Sequence, residues 1–173
     1  MELTFPRSVK LSWPLRRASA RLLEGNRYAV DYGDVRIGLA VSDKSGLLAS
    51  PVSTFQTSDG LDKLVEALVD PRVIYVGLPL NLQGLATPAT NKAVAFARKL
   101  QSESGQQVYL LDERLTTALS NAQLRQIGKS QKQARTFVDQ MAAVAILEYG
   151  LEFERRHNKF AGVNVAEWIV END

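Results

Sequence analysis

Cysteine is absent from the chain, and histidine occurs once, at His157. The first absence rules out disulfides and thiolate metal sites. The second rules out a histidine-rich zinc site, and a Ser-His-Asp triad built on any other histidine. Hydrolytic chemistry, if present, must rest mainly on carboxylates. No apolar run is long enough to cross a bilayer. The first 26 residues are rich in arginine but lack the apolar core of a secretory signal. These absences predict a cytoplasmic protein without a membrane partner. An excess of charge is also missing. A formal net charge of +2 permits a polyanionic partner without demanding one.

What is present suits one domain. The chain has 173 residues, of which 45% are hydrophobic, enough for a sizeable core. Residues 1–25 read as a basic N-terminal arm, 26–156 as the folded domain and 157–173 as a tail. RYAVDY (27–32) reads as a strand. Gly33 and Asp34 form a turn, and Val35, Ile37, Leu39 and Val41 then alternate with smaller or polar residues. This pair predicts a hairpin. A third strand is expected near 48–55, at a sheet edge because it contains Pro51. Leu61, Leu64, Val65 and Leu68 form a helical stripe over 58–69. VIYVGL (73–78) and QVYLLD (107–112) read as strands buried on both faces. Between them, Thr87-Pro88 can cap a helix running to about 102. Thr116 or Thr117 can cap another to about Ile127, and a long final helix is expected from about 136 to 156. This order predicts an α/β fold. Its mixed five-stranded sheet has three antiparallel strands first and helices on both faces.

Three acids stand out. Asp31 lies inside a buried-type strand, where an unpaired carboxylate is costly. The ordinary alternative is an Asp opening the turn at Gly33. Asp112 and Glu113 end the last buried strand. Neighbouring strand residues point to opposite faces, so one of the two can join Asp31. Strand geometry alone leaves the choice open, and an ion pair with Arg114 is the ordinary alternative. Asp139 lies in the first turn of the final helix, a position the helix dipole favours. It shares a face with Ala142, Ala143 and Ile146, which should pack on the sheet. Two carboxylates about 4 Å apart repel by roughly 4 kcal/mol at an effective dielectric near 20. A divalent cation would offset that repulsion, and oxygen-only ligands suit Mg²⁺ or Mn²⁺. Two such ions can support phosphodiester hydrolysis without histidine.

The segments DYGDVRIGLAVSD, VGLPLNLQG, DERLTT and VDQMAAVAIL, in that order over about residues 27–155, resemble the YqgF/RuvX family. That family is described as pre-16S rRNA nucleases or as Holliday-junction-resolvase-like proteins. The resemblance implies an RNase H-like fold. It places the catalytic, metal-binding acids at Asp31, Glu113 and Asp139, favouring Glu113 over Asp112. It implies a metal-dependent nuclease using Mg²⁺ or Mn²⁺, with two ions, in 5′-end processing of pre-16S rRNA during ribosome biogenesis.

Five basic residues are candidates for substrate binding. Arg36 and Arg114 could each reach a phosphate oxygen, or could bridge to a local acid. Lys129, Lys132 and Arg135 form a possible phosphate strip or a solvated polar loop. Gly77 and Gly84 flank a loop at the sheet's carboxyl edge, where turn geometry alone could explain them. The expected partner is nucleic acid, structured RNA ahead of a DNA junction, and the expected state is monomer or homodimer. The competing readings are a junction-resolving DNA endonuclease and a non-catalytic nucleic-acid-binding module. A further one, an actin-like nucleotide binder, would need a second domain that this length does not supply.

Overall fold

The first three strands form an antiparallel meander. β1 (Asn26–Tyr32) pairs with β2 (Arg36–Ser42), and β2 pairs with β3 (Ala49–Gln56). The first hairpin closes where the Gly33 N–H donates to the Arg36 carbonyl at 2.9 Å. β3 is the sheet border, and Pro51 lies opposite Ala40, where the register shifts. A residue with no N–H costs no ladder bond at a border. The structure is a computed structural model that describes residues 24–116 and 131–169, without the side chains of 131–136.

β4 (Pro71–Leu78) then enters parallel to β1, and β5 (Val108–Asp112) parallel to β4. The sheet order is β3-β2-β1-β4-β5-β6. The sixth strand corrects the expected five. β6 (Val163–Asn164) pairs antiparallel with β5 and comes from the segment read as a tail. Two residues are too short to show any period in a sequence. Ala161 and Val165, both fully buried, fix β6 on either side.

Alternation along the strands divides the core into two layers. Tyr28, Val30, Leu39, Ile74, Val76 and Leu110 meet α1 (Gly60–Glu66) and α2 (Pro88–Ser104). Thr87 and Thr90 make a reciprocal capping box at the start of α2, and Gly105 ends it at φ 65°. Tyr32 turns to this side too and stacks on Phe96 of α2 at 4.6 Å. On the opposite side, Ala29, Ala40, Tyr75 and Leu111 meet the long helix α3 (Gln131–His157). α3 starts five residues before the expected 136, so Asp139 lies beyond its first turn and not within it as expected. No helix among the described residues is long and apolar enough to cross a membrane.

A buried polar cluster fixes the far end of α3. The Arg27 side chain is 1% exposed and that of Glu154 is 8% exposed, and they meet through two nitrogens at 3.1 Å. The Tyr75 hydroxyl donates to the other Glu154 oxygen at 2.6 Å. Arg27 also donates to the Gly25 carbonyl at 2.8 Å. Gly150 makes room for the Tyr75 ring, since a Cβ there would lie 2.7 Å from it. Truncating one partner leaves the other charge buried and unpaired. Glu154→Ala is expected to cost about 3–5 kcal/mol in urea unfolding. The double change Glu154→Leu with Arg27→Met should recover much of that loss.

Candidate active site

The sheet places two of the predicted acids on the α3 side by parity. Asp31 follows Ala29 by two residues on β1, and Ala29 packs in the α3 layer. Tyr109 and Leu111 of β5 face the same layer, so Glu113 falls on that side one step beyond the strand. It opens a single 3-10 turn, Glu113–Leu115. The Thr116 hydroxyl holds this turn by donating to the Glu113 carbonyl at 2.8 Å. Asp112, of opposite parity, is turned away. It accepts from the Arg114 backbone N–H at 3.0 Å and from the Arg114 guanidinium at 2.6 Å. The fork left open by the sequence is thus divided by geometry: Glu113 lies toward Asp31, and Asp112 pairs with Arg114.

Two glycines let the acids approach. Gly38 is the register partner of Asp31 on β2. A Cβ at Gly38 would overlap the backbone carbonyl of Asp139, so α3 rests directly on the sheet there. Gly77 lies within β4, and a Cβ on it would come 2.6 Å from Glu113 Oε1 and 2.8 Å from Ile146 Cδ1. Turn geometry therefore does not account for Gly77; it clears space for the acid. Gly84 does sit in a turn, at φ 81°, against the Arg114 guanidinium. The sequence signal for Gly38 and Gly77 was available: each interrupts a strand where a bulky residue would be expected.

The electrostatics record the crowding. Asp31 is pushed up to about 6, first by burial and then by the charge of Asp139. Glu113 is pushed up to about 7, first by burial, then by Asp31 and by Asp112. The Asp31 carboxylate makes no hydrogen bond or ion pair among the described residues. Asp139 does have a cation: Arg36 Nε meets its Oδ2 at 2.5 Å. Among the described residues, no three acidic or histidine side chains are spaced to hold a metal ion together. The donor set itself fits a hard divalent cation, being all oxygen and crowded, with the Asp31 carboxylate unpaired among the described residues.

The basic candidates are placed unevenly. Arg36 lies among the acids. Arg114 is committed to Asp112, and its Nη1 also donates to the Leu82 carbonyl at 3.4 Å. Lys129 and Thr117 lie outside the described residues, as do the side chains of Lys132 and Arg135.

Comparison with known proteins bears on the whole domain. A family model described as "RuvX: Holliday junction resolvase" matches residues 25–152. A protein of Clavibacter sepedonicus is 41% identical over 155 residues, covering 86% of this chain and 96% of its own length. One from Leifsonia xyli subsp. xyli is 44% identical over 143 residues, covering 80% and 92%. Both carry the name "Putative pre-16S rRNA nuclease". Among solved structures, Thermus thermophilus RuvC in complex with a Holliday junction substrate superposes with a TM-score of 0.53. It covers 79% of this chain and 99% of its own at 15% identity, a likeness of fold. That fold is RNase H-like.

Two outcomes test this geometry. Both raised acids bind protons more tightly in the folded metal-free state than their ordinary values of 3.8 and 4.5 allow. Their contribution to stability is therefore full below about pH 4 and is lost as pH rises through about 6 to 7. Thermal melts in chelator should fall across that window, and Asp31→Asn should flatten the fall. Gly38→Ala must displace backbone rather than a side-chain tip. It should cost about 2–4 kcal/mol in denaturant unfolding and remove nuclease activity.

Proposed function

We propose that this chain, which belongs to the RuvX family and is by that membership a nuclease, cuts structured RNA at a site built from Asp31, Glu113 and Asp139. The observation that carries this reading is Asp31. It is a half-buried carboxylate with no partner of its own, kept beside two other acids. A stable core would gain by replacing it, so its cost is explained by a ligand that needs it.

Mg²⁺ or Mn²⁺ is the cofactor that this oxygen set suits, two ions in the reading favoured here. Such ions would polarise the phosphodiester and make a bound water nucleophilic at neutral pH. The protein's part is positional. β1 and β5 hold Asp31 and Glu113 from below, and α3 brings Asp139 from above. The Thr116 hydroxyl keeps the Glu113 turn closed. Arg36 is the basic group best placed for a phosphate oxygen, while Lys129, Lys132 and Arg135 would extend the contact along the substrate. The working unit spans 26–156, with residues 158–169 completing the sheet.

An rRNA precursor is the preferred substrate because relatives covering most of this chain carry that name. Such a substrate would place the work in the cytoplasm. A DNA junction is the second reading, favoured by the description of the matching family.

Asp31→Asn is expected to abolish cleavage, by more than the ~100-fold that loss of an outer partner costs at a metal site. The circular dichroism spectrum and RNA retention in a filter assay should stay close to wild type. Near-normal turnover by this variant in Mn²⁺ would remove Asp31 from the site. Matched RNA and DNA junctions, cut side by side, decide the substrate: equal rates would sink the preference for RNA.

A further inference from the structure

Arg36 raises a question that the acids alone do not. It opens β2 on the side shared with Gly38 and Ala40, which faces α3. Gly38 has no side chain, and the Asp139 backbone rests directly on it, which brings Asp139 within reach of Arg36. Its Nε meets Asp139 Oδ2 at 2.5 Å, joining residues 103 positions apart. The two side chains are 27% and 20% exposed, so the pair is neither sealed in the core nor loose on the surface. Only Nε is used. The Nη groups of Arg36 make no hydrogen bond among the described residues. Asp139 therefore has Arg36 as its cation, and that guanidinium is bound by one edge.

We propose that Arg36 is a built-in counter-ion that occupies Asp139 until a divalent cation replaces it, and then turns to a substrate phosphate. This inference rests on the metal-site reading above. Guanidinium and metal ion would compete for the same carboxylate, so binding of one would weaken binding of the other. The exchange also orders events. While Arg36 holds Asp139, the acids are partly neutralised and the metal-free protein tolerates their proximity. Once released, the guanidinium offers a planar fork suited to a phosphate. A lysine would keep the charge but lose the fork.

Mn²⁺ titration of the metal-free protein, by calorimetry and by electron paramagnetic resonance, reads the competition without any turnover. Arg36→Gln is expected to bind Mn²⁺ about two- to fivefold more tightly than wild type, the range set by a partly exposed ion pair. Its melting temperature should fall in chelator and return toward the wild-type value in saturating Mn²⁺. Arg36→Lys should keep Mn²⁺ affinity close to wild type while KM for nucleic acid rises. If Arg36→Gln binds Mn²⁺ equally or more weakly while wild type binds it through Asp31 and Asp139, Arg36 only positions Asp139 and the inference falls. If wild type binds no Mn²⁺, or binds it as well with Asp31→Asn, the metal-site reading falls and takes this inference with it.

Discussion

The close approach of a helix backbone to a strand backbone governs this molecule. At Gly38 the Asp139 carbonyl occupies space that any side chain would need. Because β2 pairs Gly38 with Asp31, the same contact sets one carboxylate above another. Gly77 repeats the device two strands away, giving Glu113 and Ile146 their places. Packing and electrostatics are thus opposed at one point. Hydrophobic burial along Ala143, Ile146 and Leu147 draws α3 down, and the descent crowds charges that repel. The fold bears that cost because α3 is long enough to be held elsewhere.

It is held at its other end. Glu154 lies fifteen residues beyond Asp139, about 22 Å along the helix axis. There the charges are matched: Arg27, Tyr75 and Glu154 satisfy one another out of reach of water. One helix therefore carries a neutralised, dry polar cluster at one end and, at the other, a partly exposed ion pair beside an Asp31 that has no partner among the described residues. Arrangements of the second kind mark sites poised to accept a ligand, whereas the first kind fixes a register.

Much of this was legible in the sequence. The hairpin, the border strand marked by Pro51, the Thr87-Pro88 helix start and the two buried strands each carry a local pattern, and each stands within a few residues of its expected place. The three acids were legible because charged residues on apolar faces are conspicuous. The choice between Asp112 and Glu113 was legible only through the family resemblance, not from strand geometry. It depends on a 3-10 turn in which Arg114 folds back on Asp112. Arg36 with Asp139, and Arg27 with Glu154, were invisible for another reason: they join residues 103 and 127 apart, and no periodicity encodes a partner at that distance. β6 escaped because a pair of residues has no pattern.

That short sixth strand has an effect beyond completing the count. A sheet's outermost strands carry free amide and carbonyl groups, which invite another chain to add itself. Here one border is broken by Pro51, and the other is only Val163–Asn164 long, tied down by Ala161 and Val165. Neither offers a continuous rail for recruitment. Among the described residues, the sheet's two borders are therefore poor templates for strand-on-strand addition.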